Sequence, residues 1–457
     1  MTQPDLSETT INSDRGLIKK HLQSLLSKFT IEGGALLVQI PQVPPELVDK
    51  DIAKNKGYFA YPPQALLYLS ATLRSLGIET FLLDLNYEVL KAAHNKNFDG
   101  DKAWKDALDV ALKKIDRPFV CVSFMFEPTY PELVKVCRQI KLSNQDACIL
   151  VGGVAATSDP DRILNDKIAD IVFSNEGEKP LENFISFIRN QNKSIPNNIS
   201  FSDQFGETYH TELTTGGLVD IDIREEYEKI PIADYHKYGS LNNLSRMRGL
   251  DVPYATLISR RGCRARCTFC SVRNFNGRSV RIRNTNGVVD EMEFLYKNYN
   301  IKHFDWLDDD LLYDQKSAIN LFNTIAERLP DITYGAHNGL IAAAITPEIL
   351  KALTDSGCMG FPVGLETGNP EMLRKIRKPA TIETFMQFAN FSKEFQKIFY
   401  VVNFILGLPE EIFGQMIDSF SLAYKAELDW NSFFTYQQLK NTEAYLVYGG
   451  LDDCSDD

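Results

Sequence analysis

The stretch Tyr254-Ala-Thr-Leu-Ile-Ser-Arg-Arg-Gly-Cys-Arg-Ala-Arg-Cys-Thr-Phe-Cys-Ser271 joins a short apolar, β-rich run to three cysteines spaced C-x₃-C-x₂-C. Three thiols within eight residues, Cys263, Cys267 and Cys270, are rarely a product of packing. They are one ligand short of a closed tetrahedral zinc site, with no fourth Cys or His following nearby. Thiolates are the usual ligands of iron–sulfur clusters, which normally take four. A four-iron cluster on three cysteines keeps one iron open to another molecule. An incomplete zinc site or three buried thiols is the alternative reading.

From residue 254 onward, short apolar runs alternate with amphipathic ones. Candidate strands are 254–259, 303–307, 332–337, 360–365, 399–406 and 431–436; the intervening helices include 287–299, 317–328, 347–356 and 382–395. A complete eight-stranded barrel takes about 250 residues, more than remain after residue 250. The pattern therefore predicts a partial (β/α)₆, TIM-like barrel over 251–446. Catalytic groups in such barrels sit at the carboxyl ends of the strands, which is where the Cys loop falls.

Upstream, runs at 35–40, 78–84, 119–124, 147–152 and 169–174 alternate with helical spacing at 63–76, 131–142 and 178–190. Strand–helix alternation around buried parallel strands predicts a doubly wound, flavodoxin-like α/β domain over 33–192. Its ligand loops are expected at 41–45, 126–130, 152–157 and 175–177. Residues 193–250 are read as a linker with a small hairpin at 199–212, and 447–457 as an acidic tail. Residues 1–32 are read as an extension, disordered at its start and helical toward its end.

Net charge is −12, with 44% hydrophobic and 24% charged residues, and the pI is about 5.2. The acidic balance argues against a broad nucleic-acid face. A local basic cluster, Arg273, Arg278, Arg281 and Arg283, follows the triplet; it is either a solvated loop or a contact for a carboxylate or phosphate. Of eight cysteines, five lie outside the motif. They suggest core thiols and, for Cys454, an inert tail thiol. No disulfide framework is apparent, so a reducing cytoplasm is expected. No run approaches the roughly 18 apolar residues of a membrane span, and the N-terminus lacks the regions of a signal peptide.

The triplet, with Phe269 before its last Cys, resembles that of the radical S-adenosylmethionine superfamily. The upstream domain is similar to the cobalamin-binding domain of one large subgroup. Val151-Gly-Gly-Val-Ala-Ala-Thr-Ser-Asp-Pro160, Asp170-Ile-Val-Phe-Ser-Asn-Glu-Gly-Glu178 and Tyr61-Pro-Pro-Gln-Ala-Leu66 carry that likeness. The resemblance implies a 4Fe-4S cluster on Cys263, Cys267 and Cys270 whose open iron takes S-adenosylmethionine, cleaved to a 5′-deoxyadenosyl radical. It implies that Phe269 lies near the adenine and that Asp308 or Asp309, in Asp308-Asp309-Asp310, holds the ammonium of S-adenosylmethionine. Glu366, in Gly364-Leu-Glu-Thr-Gly368, would lie near the ribose hydroxyls. Asn403, Ile405 and Gly407, in Asn403-Phe-Ile-Leu-Gly-Leu-Pro-Glu410, would approach the adenine. Gly152, Gly153, Glu176 and Gly177 would face cobalamin. A flavodoxin-like domain without cofactor is the alternative.

Many such domains supply a His cobalt ligand from Asp-x-His-x-x-Gly after the first strand. Here that loop reads Pro41-Gln-Val-Pro-Pro45. A literal match, Asp234-Tyr-His-Lys-Tyr-Gly239, lies in the segment read as a linker, so cobalamin is expected without a protein His. Trp306, Tyr334, His337 and Asn338 are candidate substrate-facing residues at the barrel mouth. The chain is thus expected to be a methyltransferase acting on an unactivated carbon of a small organic molecule, with an external electron donor such as flavodoxin or ferredoxin. Radical oxidation, cyclisation or rearrangement without methyl transfer is the nearest alternative, and a cobalamin or redox sensor without turnover a more distant one.

Overall fold

The computed structural model describes residues 15–449 except Thr30, Glu32, Arg117, Lys193, Leu218 and Val219. The chain divides into two compact units. One comprises 1–54 and 65–230, the other 55–64 and 231–457. The disorder expected for the start of the chain, Cys454 and most of the acidic tail lie outside the described residues.

In the first unit, β1 (Ala35–Gln39), β2 (Thr80–Asp84), β3 (Phe119–Ser123), β4 (Cys148–Gly152) and β5 (Ile171–Phe173) are parallel, in the spatial order β2-β1-β3-β4-β5. This is the flavodoxin-like order, whose switch point lies between β1 and β3. β1, β3 and β4 are buried along almost their whole length, as strands covered by helices on both faces must be. Their ends are in register, Gln39 with Ser123 and Ser123 with Gly152, so three ligand loops start from one line.

Two boundaries differ from the sequence reading. The hairpin β6 (Ile199–Ser202) and β7 (Thr208–His210) does not sit in a linker: β6 pairs antiparallel with β5 and extends the first sheet. Its Ile199, Phe201 and Tyr209 enter the core beside Phe173 and Phe184, burial that a free linker could not offer. Likewise helix Arg15–Leu26 is no free extension, because Ile18, Leu22 and Leu26 pack into the same core. Residues 231–250, and also 55–64, belong to the second unit.

The second unit opens with β8 (Tyr254–Leu257). A two-residue ribbon follows, β9 (Arg260–Arg261) antiparallel to β10 (Arg281–Ile282). Then come β11 (His303–Trp306), β12 (Thr333–Gly335), β13 (Cys358–Glu366), β14 (Phe399–Leu406) and β15 (Trp430–Thr435). Except for the ribbon, these form one parallel sheet in sequential order from β8 to β15, an open six-stranded barrel. The connecting helices start where side chains can take up orphan amides. Asn284, Asp314, Thr346 and Thr381 cap helices Thr285–Tyr299, Gln315–Arg328, Pro347–Asp355 and Ile382–Ser392, as short polar residues at N-caps do. The acidic tail begins later than expected, since helix Glu443–Tyr448 runs to Tyr448.

Alternation along β11 sorts its residues between two layers. Trp306 stacks edge-on against Tyr334, which lies face to face with Phe322 of helix Gln315–Arg328. These rings therefore fill the layer between sheet and helices, and the Tyr334 hydroxyl pairs with Ser356 at 2.6 Å. Asp305, one position away, points to the opposite face, where Thr256 and Gly335 are its register partners.

Candidate active site

The Cys loop is closed at its base by the β9–β10 ribbon. Gly262 enters it at φ +94°, and a Cβ there would lie 2.4 Å from the Ser279 carbonyl oxygen, so only glycine lets the loop turn so tightly. Cys263, Cys267 and Cys270 are half-buried. Burial pushes the thiols of Cys263 and Cys270 up to about 11, and raises that of Cys267 against the pull of Lys378. Bare thiols here keep their protons, and metal binding must displace them. The amide of Ala265 donates to Cys263 Sγ at 3.4 Å.

Among the described residues no group of three His, Cys, Asp or Glu side chains converges as a single-ion site would. A multi-iron cluster asks something different, since each thiolate binds its own iron. The Cys set fits such a cluster: the three thiols are on one short loop, sense one another electrostatically and include no fourth protein ligand.

The three aspartates after β11 surround this loop, each with a different partner. Asp308 is buried and accepts from the Ser259 amide at 2.9 Å and the Ser259 hydroxyl at 2.6 Å. Burial raises its pKa, countered by Arg260 and Ser259. Asp310, also buried, takes the Arg264 guanidinium. Asp309 is half-buried, accepts from Asn276 Nδ2 at 2.9 Å and acts electrostatically on Cys263 and Cys270. The sequence treats Asp308 and Asp309 alike; the structure engages Asp308 with the strand end, while the charge of Asp309 acts on the thiols.

Phe269 and Ile405 come together in one apolar cluster with Met372, Ile376, Leu408 and Tyr436. Asn403 lies on β14 in register with Gly364. Gly407 turns at φ +79°, and its amide donates to Glu411 Oε2 at 2.8 Å. Glu366 ends β13 at φ +75°, an unusual conformation for a residue with a side chain, and its Oε1 takes Lys378 Nζ at 2.6 Å.

Lys378 is a site residue that sequence reasoning missed. It closes the run Arg374-Lys-Ile-Arg-Lys378, which reads as ordinary basic residues around a helix end. Asp305 was missed too, although a carboxylate inside the apolar run Phe304-Asp-Trp306 was a signal. It is fully buried, and burial raises its pKa to about 8, opposed by the His337 amide and Asn242. The His337 amide donates to its Oδ1 at 3.3 Å, while Oδ2 meets no partner in good hydrogen-bond geometry. Trp306 and Tyr334 do not line the mouth: each ring sits in the sheet–helix layer, 1% or less exposed. His337 and Asn338 are exposed, and Asn338 donates to the Leu307 carbonyl at 2.8 Å. Of the basic cluster, Arg283 is a buried partner of Glu291 at 2.8 Å and no surface anion contact.

In the first unit, Gly152 ends β4 and Gly153 follows at φ +125°; a Cβ on Gly153 would lie 2.3 Å from the Phe124 carbonyl oxygen. The β3 loop exposes Met125 and Phe126. The loop after β1 is held by Gln42, whose amide donates to Asn86 Oδ1 at 3.0 Å. Glu176 is buried and accepts from the Gly217 amide at 3.1 Å, and Gly177 starts helix Glu178–Ile188. Small residues and apolar side chains at the carboxyl ends of β3, β4 and β5 fit a flat macrocycle, with no His on these loops. His236 belongs to the other unit.

Two family models match. The radical SAM superfamily covers residues 257–423, and the B12 binding domain covers 51–185. The chain belongs to the cobalamin-dependent radical S-adenosylmethionine family. Members of this family are enzymes whose cofactors are a 4Fe-4S cluster, S-adenosylmethionine and cobalamin. The chain is 24% identical over 417 residues to cytidylyl-2-hydroxyethylphosphonate methyltransferase of Streptomyces wedmorensis, covering 83% of this chain and 76% of the relative. It is 23% identical over 376 residues to an uncharacterized methyltransferase of Pyrococcus horikoshii, covering 81% and 75%. Among solved structures it is similar in fold to the radical S-adenosylmethionine methyltransferase TsrM of Kitasatospora setae. The TM-score is 0.69 at 19% identity, over 90% of this chain and 77% of that one. Among the described residues no helix is long and apolar enough to cross a membrane.

Proposed function

We propose that this family member is a methyltransferase that acts on an unactivated carbon of a small organic molecule. The observation that carries the reading is the span of the similarity. Two relatives aligned over three quarters or more of both chains are named methyltransferases, and the alignment takes in both units. When bound, the three cofactors supply a carbon-centred radical and a methyl carrier.

The chain's own residues have the following roles in this proposal. Cys263, Cys267 and Cys270 hold the cluster. Phe269, Ile405 and Gly407, with Asn403 beside them, border the adenine; an apolar wall and one close backbone approach suit a planar base. Glu366 accepts from the ribose hydroxyls, and Asp309 accepts from the ammonium. Gly152, Gly153 and Gly177 let backbone approach the corrin, while Glu176 stiffens the loop through Gly217. A flavodoxin or ferredoxin supplies the electron.

The test is product analysis on protein purified without oxygen and supplied with iron, sulfide, hydroxocobalamin, S-adenosylmethionine and a chemical reductant. Candidate substrates are small organic molecules screened as a set. Methyl transfer predicts S-adenosylhomocysteine and 5′-deoxyadenosine together, with a product heavier by one methyl group. Formation of 5′-deoxyadenosine alone with a turned-over substrate would overturn it in favour of oxidation, cyclisation or rearrangement.

A further inference from the structure

The cluster loop is stitched to the segment that ends at Lys378. The Thr268 amide, between Cys267 and Cys270, donates to the Ile376 carbonyl at 3.1 Å. Ile376 and Met372 pack around Phe269 in the apolar cluster already described. The Lys378 amide in turn donates to the Leu373 carbonyl at 3.0 Å, which fixes the backbone from which the side chain departs. Its ammonium meets Glu366 Oε1 at 2.6 Å, with both side chains only 12% exposed. A Cβ on Gly364 would lie 2.5 Å from that oxygen and 3.1 Å from the ammonium, so the glycine makes room for the pair.

The charges around the three thiols are unevenly distributed. Asp310 and Asp309 act on Cys263, and Asp309 acts on Cys270. The Lys378 ammonium acts on both Cys267 and Cys270. Lys378 is thus a buried cation, paired with Glu366, whose charge reaches the thiols.

We propose that Lys378 is a positioning residue that raises the reduction potential of the cluster held by Cys263, Cys267 and Cys270. The inference rests on the cluster assignment above. Reduction adds one electron to a centre already carrying three thiolates. A fixed cation in a poorly solvated site stabilises the reduced form more than the oxidised form, and net charge and burial are among the protein's levers on cluster potential. Glu366 partly screens that cation. The two residues therefore have opposite signs of effect: removing the ammonium lowers the potential, and neutralising the carboxylate raises it.

The experiment compares wild type, Lys378→Gln, Lys378→Arg and Glu366→Gln, each reconstituted with iron and sulfide without oxygen. Iron content is measured first, then the midpoint potential by titration followed by electron paramagnetic resonance, with no S-adenosylmethionine present. The expected result is full iron content throughout, a shift to more negative potential in Lys378→Gln, near-wild-type potential in Lys378→Arg, and a shift to less negative potential in Glu366→Gln. A Lys378→Gln cluster at wild-type potential overturns the proposal. If Lys378→Gln does not take up iron, Glu366→Gln decides: an unshifted potential, or a more negative one, overturns it. A wild-type protein without any cluster would instead remove the assignment on which the proposal rests.

Discussion

Arg264 and Asp310 form a two-pronged ion pair across the base of the Cys loop, with Nε at 2.7 Å and Nη2 at 2.9 Å from the two carboxylate oxygens. The Arg264 amide adds a third bond to Asp310 at 3.2 Å. Fork-on-carboxylate geometry fixes orientation as well as distance. Arg264 lies directly after Cys263, so this pair sets where the first thiolate stands. Asp310→Ala leaves the partly exposed guanidinium without its partner, a loss of about 1–2 kcal/mol once solvent takes up part of the freed charge. The expected outcome is reduced iron content after reconstitution and a lower Tm. A variant that fills with iron as completely as wild type would show that the loop does not depend on this pair.

Asp308 and Asp309 separate under the same logic. Asp309→Ala is expected to weaken S-adenosylmethionine binding about tenfold, the loss of one charge-assisted contact, with iron content unchanged. Asp308→Ala removes the acceptor for both Ser259 donors and is expected to lower Tm instead. Equilibrium binding and thermal melts on the two variants distinguish them. Equal effects of both on binding would mean that the two aspartates share one role.

The sequence made the parallel strands of both units legible because each is a short β-rich run between turn signals, and buried strands need little else. The Cys triplet was legible because its spacing is local. The assignment of Trp306 and Tyr334 to the mouth went wrong because a run of five or six residues does not reveal which face of a strand looks inward; that depends on the register of His303–Trp306 with Tyr254–Leu257 and Thr333–Gly335. The hairpin at 199–210 was found, but its docking on β5 is a pairing with a strand some 26 residues earlier that no local pattern encodes. Lys378 was invisible for a related reason, since its meaning comes from Glu366 and from the Thr268–Ile376 bond.

Trp306 gives a stability prediction rather than a catalytic one. The ring is 1% exposed and wedged against Tyr334. Trp306→Ala is expected to cost about 3–5 kcal/mol through lost contacts and a cavity. Denaturant unfolding measures this directly. A stable Trp306→Ala protein that instead fails to bind substrate would return the residue to the barrel mouth.

His236 sits in the barrel unit, in the four-residue helix Tyr235–Tyr238, and is half-buried. Burial lowers its pKa, with Lys56 and Lys237 acting in the same direction, so it is neutral at physiological pH and chemically able to bind a metal. Its unit is nevertheless not the one carrying the doubly wound sheet. His236→Ala is expected to bind hydroxocobalamin as wild type does, read from the corrin absorbance after gel filtration. Loss of the corrin would make His236 a cobalt ligand after all.

Asp305 makes stability depend on pH in an uncommon direction. Its carboxyl group is lifted to about 8 by burial in the fold, against roughly 3.9 in an unfolded chain. Between those values the folded protein holds a proton that the unfolded one has lost, so unfolding is favoured as pH rises. The contribution is complete below the unfolded value, declines through neutral pH and is lost once pH passes the folded value near 8. Asn cannot ionise, yet it keeps an oxygen for the His337 amide. Asp305→Asn is therefore expected to flatten the fall in denaturation midpoint between about pH 5 and 8, and to be relatively more stable at the alkaline end. Midpoints in urea across that range test it. The same slope in wild type and variant would mean that Asp305 is ionised in the fold, with a cation or water supplying what Oδ2 lacks.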